Sequence, residues 1–260
     1  MNNFCLIIPT RGDRPKFIQQ CKRLIARQTL KPNGIIWMDY VPESGAKDIT
    51  QRYKRGVEQA TKEGYQFVVF WEDDDWYHPG YLEWLIKGWK AQGMPNFFGV
   101  GETYYYHLGL ESHIYMKHPG RTSMFCTLAK LPWRIKWPKD TQPFLDMHIH
   151  RSTKVATMNF PPERIYAIGI KHGIGLAGGG GHYSRMSYQP DKKAWFNKWL
   201  GSDTEFYNKI ATELAPIAQH SKNRNNIPKI HAKPNRKIIT ANTHPQLSRR
   251  GPSIKKIRRK

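Results

Sequence analysis

A chain of 260 residues, 39% hydrophobic and 13% aromatic, is long and apolar enough to bury a large core without disulfides or a structural metal. Lys and Arg outnumber Asp and Glu by 42 to 20, a net +22, and residues 221–260 hold 13 of those cations and no acid, so the preceding 220 carry +9. No apolar run can span a bilayer, the first residues lack the basic and apolar regions of a secretory leader, and Cys5, Cys21 and Cys126 have neither disulfide nor zinc spacing.

Strand and helix signals alternate over the first 100 residues. Phe4–Pro9 is a short apolar run that reads as a buried strand. A polar loop, Thr10–Arg14, follows, and Pro15 suits the first turn of a helix with Phe17, Ile18, Cys21, Leu24 and Ile25 on one face. Ile35–Met38 is a second strand, ending at Asp39. Ile49, Tyr53, Val57 and Ala60 mark a second helix that Gly64 closes. Phe67–Trp71 is a third strand and runs into Glu72-Asp73-Asp74-Asp75. Pro79 opens a third helix with Leu82, Leu85, Ile86 and Trp89 inward. Such alternation predicts right-handed crossovers and an α/β fold with a mostly parallel sheet flanked by helices.

Further on, Phe97–Val100, Met124–Cys126 and Ala167–Ile170 read as strands, with aromatic-rich loops between the first two. Lys171-His172-Gly173 and a glycine run, Gly178 to Gly181, lead to His182. Ser202 and Glu205 have capping-box spacing before a helix with Phe206, Ile210, Leu214 and Ile217 on its stripe. Residues 221–260 read as a basic, extended or disordered arm. The expected division is therefore a domain over 1–220, with halves 1–100 and 101–220, and a tail over 221–260.

Ligands on parallel sheets sit beyond the carboxyl ends of the strands, and Thr10-Arg11, Asp39 and the acids from Glu72 all fall there. Four adjacent carboxylates need a counter-charge. A hard cation, Mg2+ or Mn2+, with its preference for oxygen ligands, would supply it. The alternative is a solvated acidic turn that caps the next helix.

The run Leu6-Ile7-Ile8-Pro9-Thr10-Arg11, then Asp39, then Phe70-Trp71-Glu72-Asp73-Asp74-Asp75-Trp76-Tyr77-His78-Pro79 resembles the GT-A glycosyltransferases, family 2 in particular. The resemblance covers about residues 4–90. It implies that Asp74 is the metal-binding acid of an Asp-x-Asp motif and Glu72 its first acid, meeting ribose or metal, where most relatives carry Asp. Asp73 joins Glu72 on the donor side, and Asp75 is a ligand or a helix N-cap. Pro9, Thr10, Arg11 and Asp39 would line the base and ribose of a nucleotide-sugar donor. Tyr40 stands where family 2 usually has a second Asp. An inverting member also needs a base near a later helix start, and Asp146, in an apolar setting, is the candidate, the alternative being a salt bridge to a nearby cation. In many GT-A enzymes a late His completes the metal site or a late loop covers the phosphates. His172 or His182 would fill either place. His148 and His150 alternate, as on one face of a strand.

Charge speaks to the acceptor. The cysteine usage fits a reducing cytoplasm, bacterial or phage-infected, and the positive balance fits a polyanion. Residues 221–260 contain no aromatic and no clear helical stripe, so Lys255, Lys256, Arg258 and Arg259 read as a nucleic-acid tail rather than a membrane anchor. In the body, Arg134 and Lys136 lie between Trp133 and Trp137, and Tyr104–His107 is a second aromatic cluster. Aromatic faces can stack bases or sugars. The expected activity is metal-dependent transfer of a sugar to a hydroxyl, with a 5-hydroxymethylated pyrimidine in DNA as acceptor, as in enzymes that some bacteriophages make. The alternatives are a glycan, lipid-linked or protein acceptor, and a non-enzymatic nucleic-acid-binding protein.

Overall fold

The computed structural model describes residues 3–10, 12, 14–40, 48–172, 189–190 and 193–213. Six consecutive apolar residues leave β1 (Phe4–Pro9) no polar face, and all six are buried. α1 (Pro15–Ala26) starts at its proline and sinks Phe17, Cys21, Leu24 and Ile25. β2 (Gly34–Met38), α2 (Ile49–Lys62), β3 (Phe67–Phe70), a two-residue β4 (Trp76–Tyr77) and α3 (Tyr81–Ala91) follow. Gly64, at φ +79°, ends α2 in the left-handed conformation that favours glycine.

Beyond α3 come β5 (Phe97–Val100), β6 (Glu102–His107), β7 (Ser112–Lys117), β8 (Thr127–Lys130), α4 (Leu145–Ser152), β9 (Ala156–Met158) and β10 (Ala167–Lys171). The two-residue β11 (Gln189–Pro190) and α5 (Ala194–Leu200) precede a 3-10 turn, Gly201–Asp203. The turn leads into a last helix described over 204–213.

The strands form two sheets. The first runs β2-β1-β3-β8-β5-β9. Its β1–β2, β1–β3 and β5–β9 pairings are parallel, and β8 inserts antiparallel between β3 and β5. Helices cover both faces, as expected. Phe4, Leu6 and Ile8 join the cluster containing α1 and α3, while Cys5 and Ile7 join the one containing α2 and α4. Alternation along one strand thus feeds two cores. The second sheet, β11-β7-β6-β10-β4, is antiparallel except for β6–β10.

Several expectations change. Met124–Cys126 is a 3-10 turn, and the strand begins only at Thr127. All three apolar side chains are buried there, and a short apolar run does not distinguish the two conformations. Tyr104–His107 is strand, not loop, paired with β7 in a hairpin. His148 and His150 lie on α4, where two-residue spacing does not give a common face. After α5 a 3-10 turn spans Gly201–Asp203, so Ser202 lies inside that turn and the α-helix begins at 204. The residue that matters there is Asp203. It is buried and takes Arg23, Arg27 and the indole N–H of Trp76, the last at 2.8 Å. Leu214, Ile217 and the tail 221–260 lie outside the described residues.

α2 crosses β1 at Gly56, where an added Cβ would stand 2.5 Å from Ile7 Cγ2. Gly56→Ala should therefore cost about 1–3 kcal/mol through overpacking. The check is a lower urea midpoint at unchanged slope. An unchanged midpoint would mean that α2 backs away freely.

Candidate active site

The register of the parallel strands builds one edge. Pro9 pairs with Met38, and Ile7 with Phe70. Thr10, Asp39 and Glu72 therefore leave the sheet on the same side. The Thr10 N–H donates to Met38 O at 3.1 Å, and Trp71 N–H to Ile7 O at 3.1 Å. Thr10 and Pro9 are buried and Asp39 is exposed. Arg11, His182, Lys255, Lys256, Arg258 and Arg259 lie outside the described residues.

Arg52, on α2, ties the β1 and β2 ends together. It is 1% exposed, and its Nη1 donates to Thr10 O (2.5 Å) and Met38 O (2.6 Å). Its Nη2 donates to Tyr40 O and Asp48 Oδ2, both at 2.7 Å, and the guanidinium sits 4.3 Å from the Tyr40 ring centre.

The four acids then diverge. Glu72 Oε1 accepts from Tyr53 OH at 3.1 Å. Asp73 Oδ1 accepts from Arg14 Nη2 at 2.6 Å. Asp74 Oδ2 takes Arg14 Nη1 at 2.5 Å and His172 Nε2 at 2.8 Å. Asp75 Oδ1 accepts from the Ile170 N–H at 2.7 Å, and Tyr207 OH donates to the Asp75 carbonyl at 3.3 Å. Asp75 is not a helix N-cap, because β4 intervenes and α3 starts after Gly80.

Burial and the neighbouring Asp74 charge push Asp73 up to about 7, against Arg14. Burial, with Glu72 and Asp74, pushes Asp75 well above the usual carboxylate range. Burial raises Glu72 as well, opposed by Lys171. At Asp74 the same burial is overcome by Arg14 and His172, which hold it ionised far below that range. Burial would lower Lys171, but Asp75 and Glu72 hold it above the ordinary lysine value. Among the described residues, Arg14 and Lys171 set permanent positive charge against the four carboxylates. Set against those two cations alone, four ionised acids keep a surplus of negative charge, of the kind that a divalent ion cancels.

The donor set fits such an ion. Glu72, Asp74 and Asp75 offer oxygens that all lie within 4.8 Å of one another. Asp75 Oδ2 is buried with no hydrogen-bond partner. Carboxylate oxygens suit magnesium or manganese. Asp73 turns its Oδ1 to Arg14, and its Oδ2 is buried without a hydrogen-bond partner, as is that of Asp75.

Asp146 stands in the first turn of α4, where Arg121 Nη1 holds its Oδ2 at 2.6 Å. Burial nonetheless outweighs Arg121 and raises its pKa. Arg134 and Lys136 are exposed. Their aromatic neighbours are not open platforms. Trp133 and Trp137 stack on each other with centroids 4.2 Å apart, and Trp133 meets Phe70 and Phe97 edge-on. Tyr105 and Tyr106 are buried. Both clusters thus take part in packing, while Tyr104, Trp133 and Trp137 stay half-buried.

Arg14, Lys171 and Arg52 were not singled out from sequence as site residues. The need for counter-charge was visible, but not its source. Arg52 carried a clue of its own, as a cation three residues after Ile49 and four before Gly56, on the edge of an apolar stripe.

No protein-family model and no curated protein matches the chain. Solved structures with a similar fold include S. aureus TarS, at 10% identity and TM-score 0.41 over 65% of this chain and 36% of that one. Residues 1–349 of TarS in complex with UDP-GlcNAc match at 11% identity and TM-score 0.43, over 71% of this chain and 62% of that one. A197 from STIV matches at 13% and 0.41, over 63% and 88%. The chain thus spans about a third of TarS and under two thirds of its 1–349 portion. Likeness at this level leaves function to the chemistry of the site.

Arg52→Met should destabilise the protein by about 3–5 kcal/mol, because buried carbonyls and Asp48 lose their donor. Denaturant unfolding checks this. A loss below about 1 kcal/mol would mean that water replaces the guanidinium.

Proposed function

We propose that the chain is a glycosyltransferase that uses a nucleotide-sugar donor and a divalent cation, Mn2+ or Mg2+, held by Glu72, Asp74 and Asp75. The observation that carries this reading is the gathering of Glu72, Asp74 and Asp75 oxygens within 4.8 Å of one another at the carboxyl ends of parallel strands. The bound ion would supply positive charge to a departing diphosphate. Pro9, Thr10 and Asp39, on the same edge, would line the donor's nucleoside together with Asp73, and the sequence resemblance adds Arg11, outside the described residues, to that set. His172, on Asp74, orients that acid. Asp146 would take the proton of the acceptor hydroxyl, and Arg121 fixes the direction of its carboxylate.

The acceptor that the charge favours is DNA carrying a 5-hydroxymethylated pyrimidine. What supports it is the net +22, concentrated over 221–260, together with exposed Arg134 and Lys136. A purely DNA-binding role fits poorly with the buried acids, which repel a phosphate backbone.

The test mixes protein, manganese, a panel of nucleotide sugars and duplex DNA containing 5-hydroxymethylcytosine or 5-hydroxymethyluracil, and reads the digested nucleosides by mass. The expected result is a gain of one hexose or pentose, with binding that weakens steeply with salt. Asp74→Ala should lower transfer by about a hundredfold or more with the fold intact. Full activity in that variant would remove the cation assignment. Donor hydrolysis with no gain on DNA would move the acceptor to a glycan, a lipid-linked sugar or a protein. Absence of both signals would favour the binding protein.

A base must be ionised to accept a proton, and burial raises Asp146. The acid limb of kcat/KM should therefore lie above the ordinary Asp value of about 3.9 and vanish, along with most of the rate, in Asp146→Asn. A limb unchanged in that variant would deny Asp146 the role.

A further inference from the structure

The acid cluster already holds a cation on one of the three acids that an ion would use. Arg14 divides its guanidinium between neighbours: Nη2 is 2.6 Å from Asp73 Oδ1, and Nη1 is 2.5 Å from Asp74 Oδ2 and 3.1 Å from His172 Nε2. Asp74 is therefore claimed twice, by Arg14 and by the set of three acids whose oxygens gather within 4.8 Å. A monovalent and a divalent cation on one carboxylate repel each other at short range. The Arg14 side chain is 18% exposed and stands at the entry to α1, where the backbone carbonyl, not the side chain, caps the helix by accepting from the Ile18 N–H. It is thus placed to leave Asp74 without unwinding an element.

We propose that Arg14 is an exchangeable counter-ion: it neutralises Asp74 while the site is empty of metal, yields that oxygen to the divalent cation, and turns its fork onto the donor's phosphate oxygens. The proposal rests on the cation of the function proposed above. A guanidinium matches phosphate in two-point geometry as well as it matches a carboxylate, so the side chain exchanges one anionic partner for another. A phosphate oxygen on a cation at Asp74 would stand beside the atom that Arg14 now holds. The exchange also keeps charge in balance, since the diphosphate brings negative charge just as the ion brings positive.

Competition and donor capture pull the effects of one substitution in opposite directions, which a passive structural arginine would not do. The full-length protein is titrated with Mn2+ alone, read by the electron paramagnetic resonance of the free ion, and then with inorganic pyrophosphate at saturating Mn2+. Arg14→Met should bind Mn2+ about tenfold more tightly than the wild type and pyrophosphate about tenfold more weakly, since one short-range charge is removed from each balance. Arg14→Lys keeps the charge without the fork and should hold Mn2+ affinity near the wild-type value while losing part of the pyrophosphate affinity. Unchanged or weaker Mn2+ binding in Arg14→Met with native near-ultraviolet circular dichroism would overturn the exchange and leave the cation site standing. If that variant loses its native spectrum, Arg14→Lys decides, and unaltered pyrophosphate affinity there overturns the proposal. Mn2+ binding to none of the proteins would remove the cation site itself, and the exchange with it.

Discussion

Mutual repulsion among Glu72, Asp73, Asp74 and Asp75 is the constraint around which the described structure is arranged. Four consecutive carboxylates at the end of a buried strand cannot all ionise unaided. The fold answers with partners from distant segments. Arg14 comes from the entry to α1, Tyr53 from α2, and the Ile170 N–H, Lys171 and His172 from the end of β10. Each acid receives a different environment, so identical chemistry becomes four different groups. Asp74 is held ionised, while burial drives Asp73, Asp75 and Glu72 toward the protonated form.

Such an arrangement needs rigid strand ends, and two buried ionic clamps provide them. Arg52 gathers the carbonyls of Thr10, Met38 and Tyr40, fixing the exits of β1 and β2. Asp203 gathers Arg23, Arg27 and Trp76, joining α1 to the strand just after the acids. Both are charged groups in an apolar setting, stable only because every partner is in place. They hold geometry; the hydrophobic clusters on the two faces of the first sheet supply most of the driving force.

The first 100 residues were legible because period and punctuation agree there. Phe4–Pro9 and Phe67–Phe70 are apolar throughout, Pro15 and Gly64 mark helix ends, and the acids stand where a parallel sheet binds ligands. The second sheet was not legible, since Tyr104, Tyr105 and Tyr106 pattern as a sticky loop as readily as a strand. Only pairing with β7 and β10 decides the matter. Arg14 and Lys171 were hidden for a related reason. Among 42 cations, sequence does not say which are folded onto the acids. Asp146 stands out in the sequence by its apolar neighbours, and in the structure burial raises its pKa while Arg121 pairs with it, so the two readings open on sequence coexist.

The prop beneath the acid run comes from late in the chain. Tyr207 holds the Asp75 carbonyl, and Asp203 holds the indole of the very next residue, Trp76. The stretch from Phe4 to Ala91 is therefore not a self-contained cassette. Lifted out, it would lose the β10 partner of β4, the β8 partner of β3 and the posture of its carboxylates. A substitution at 203 or 207 would shift the carboxylates against one another while sparing every acid in the run, so the geometry of the cluster is written well beyond the motif.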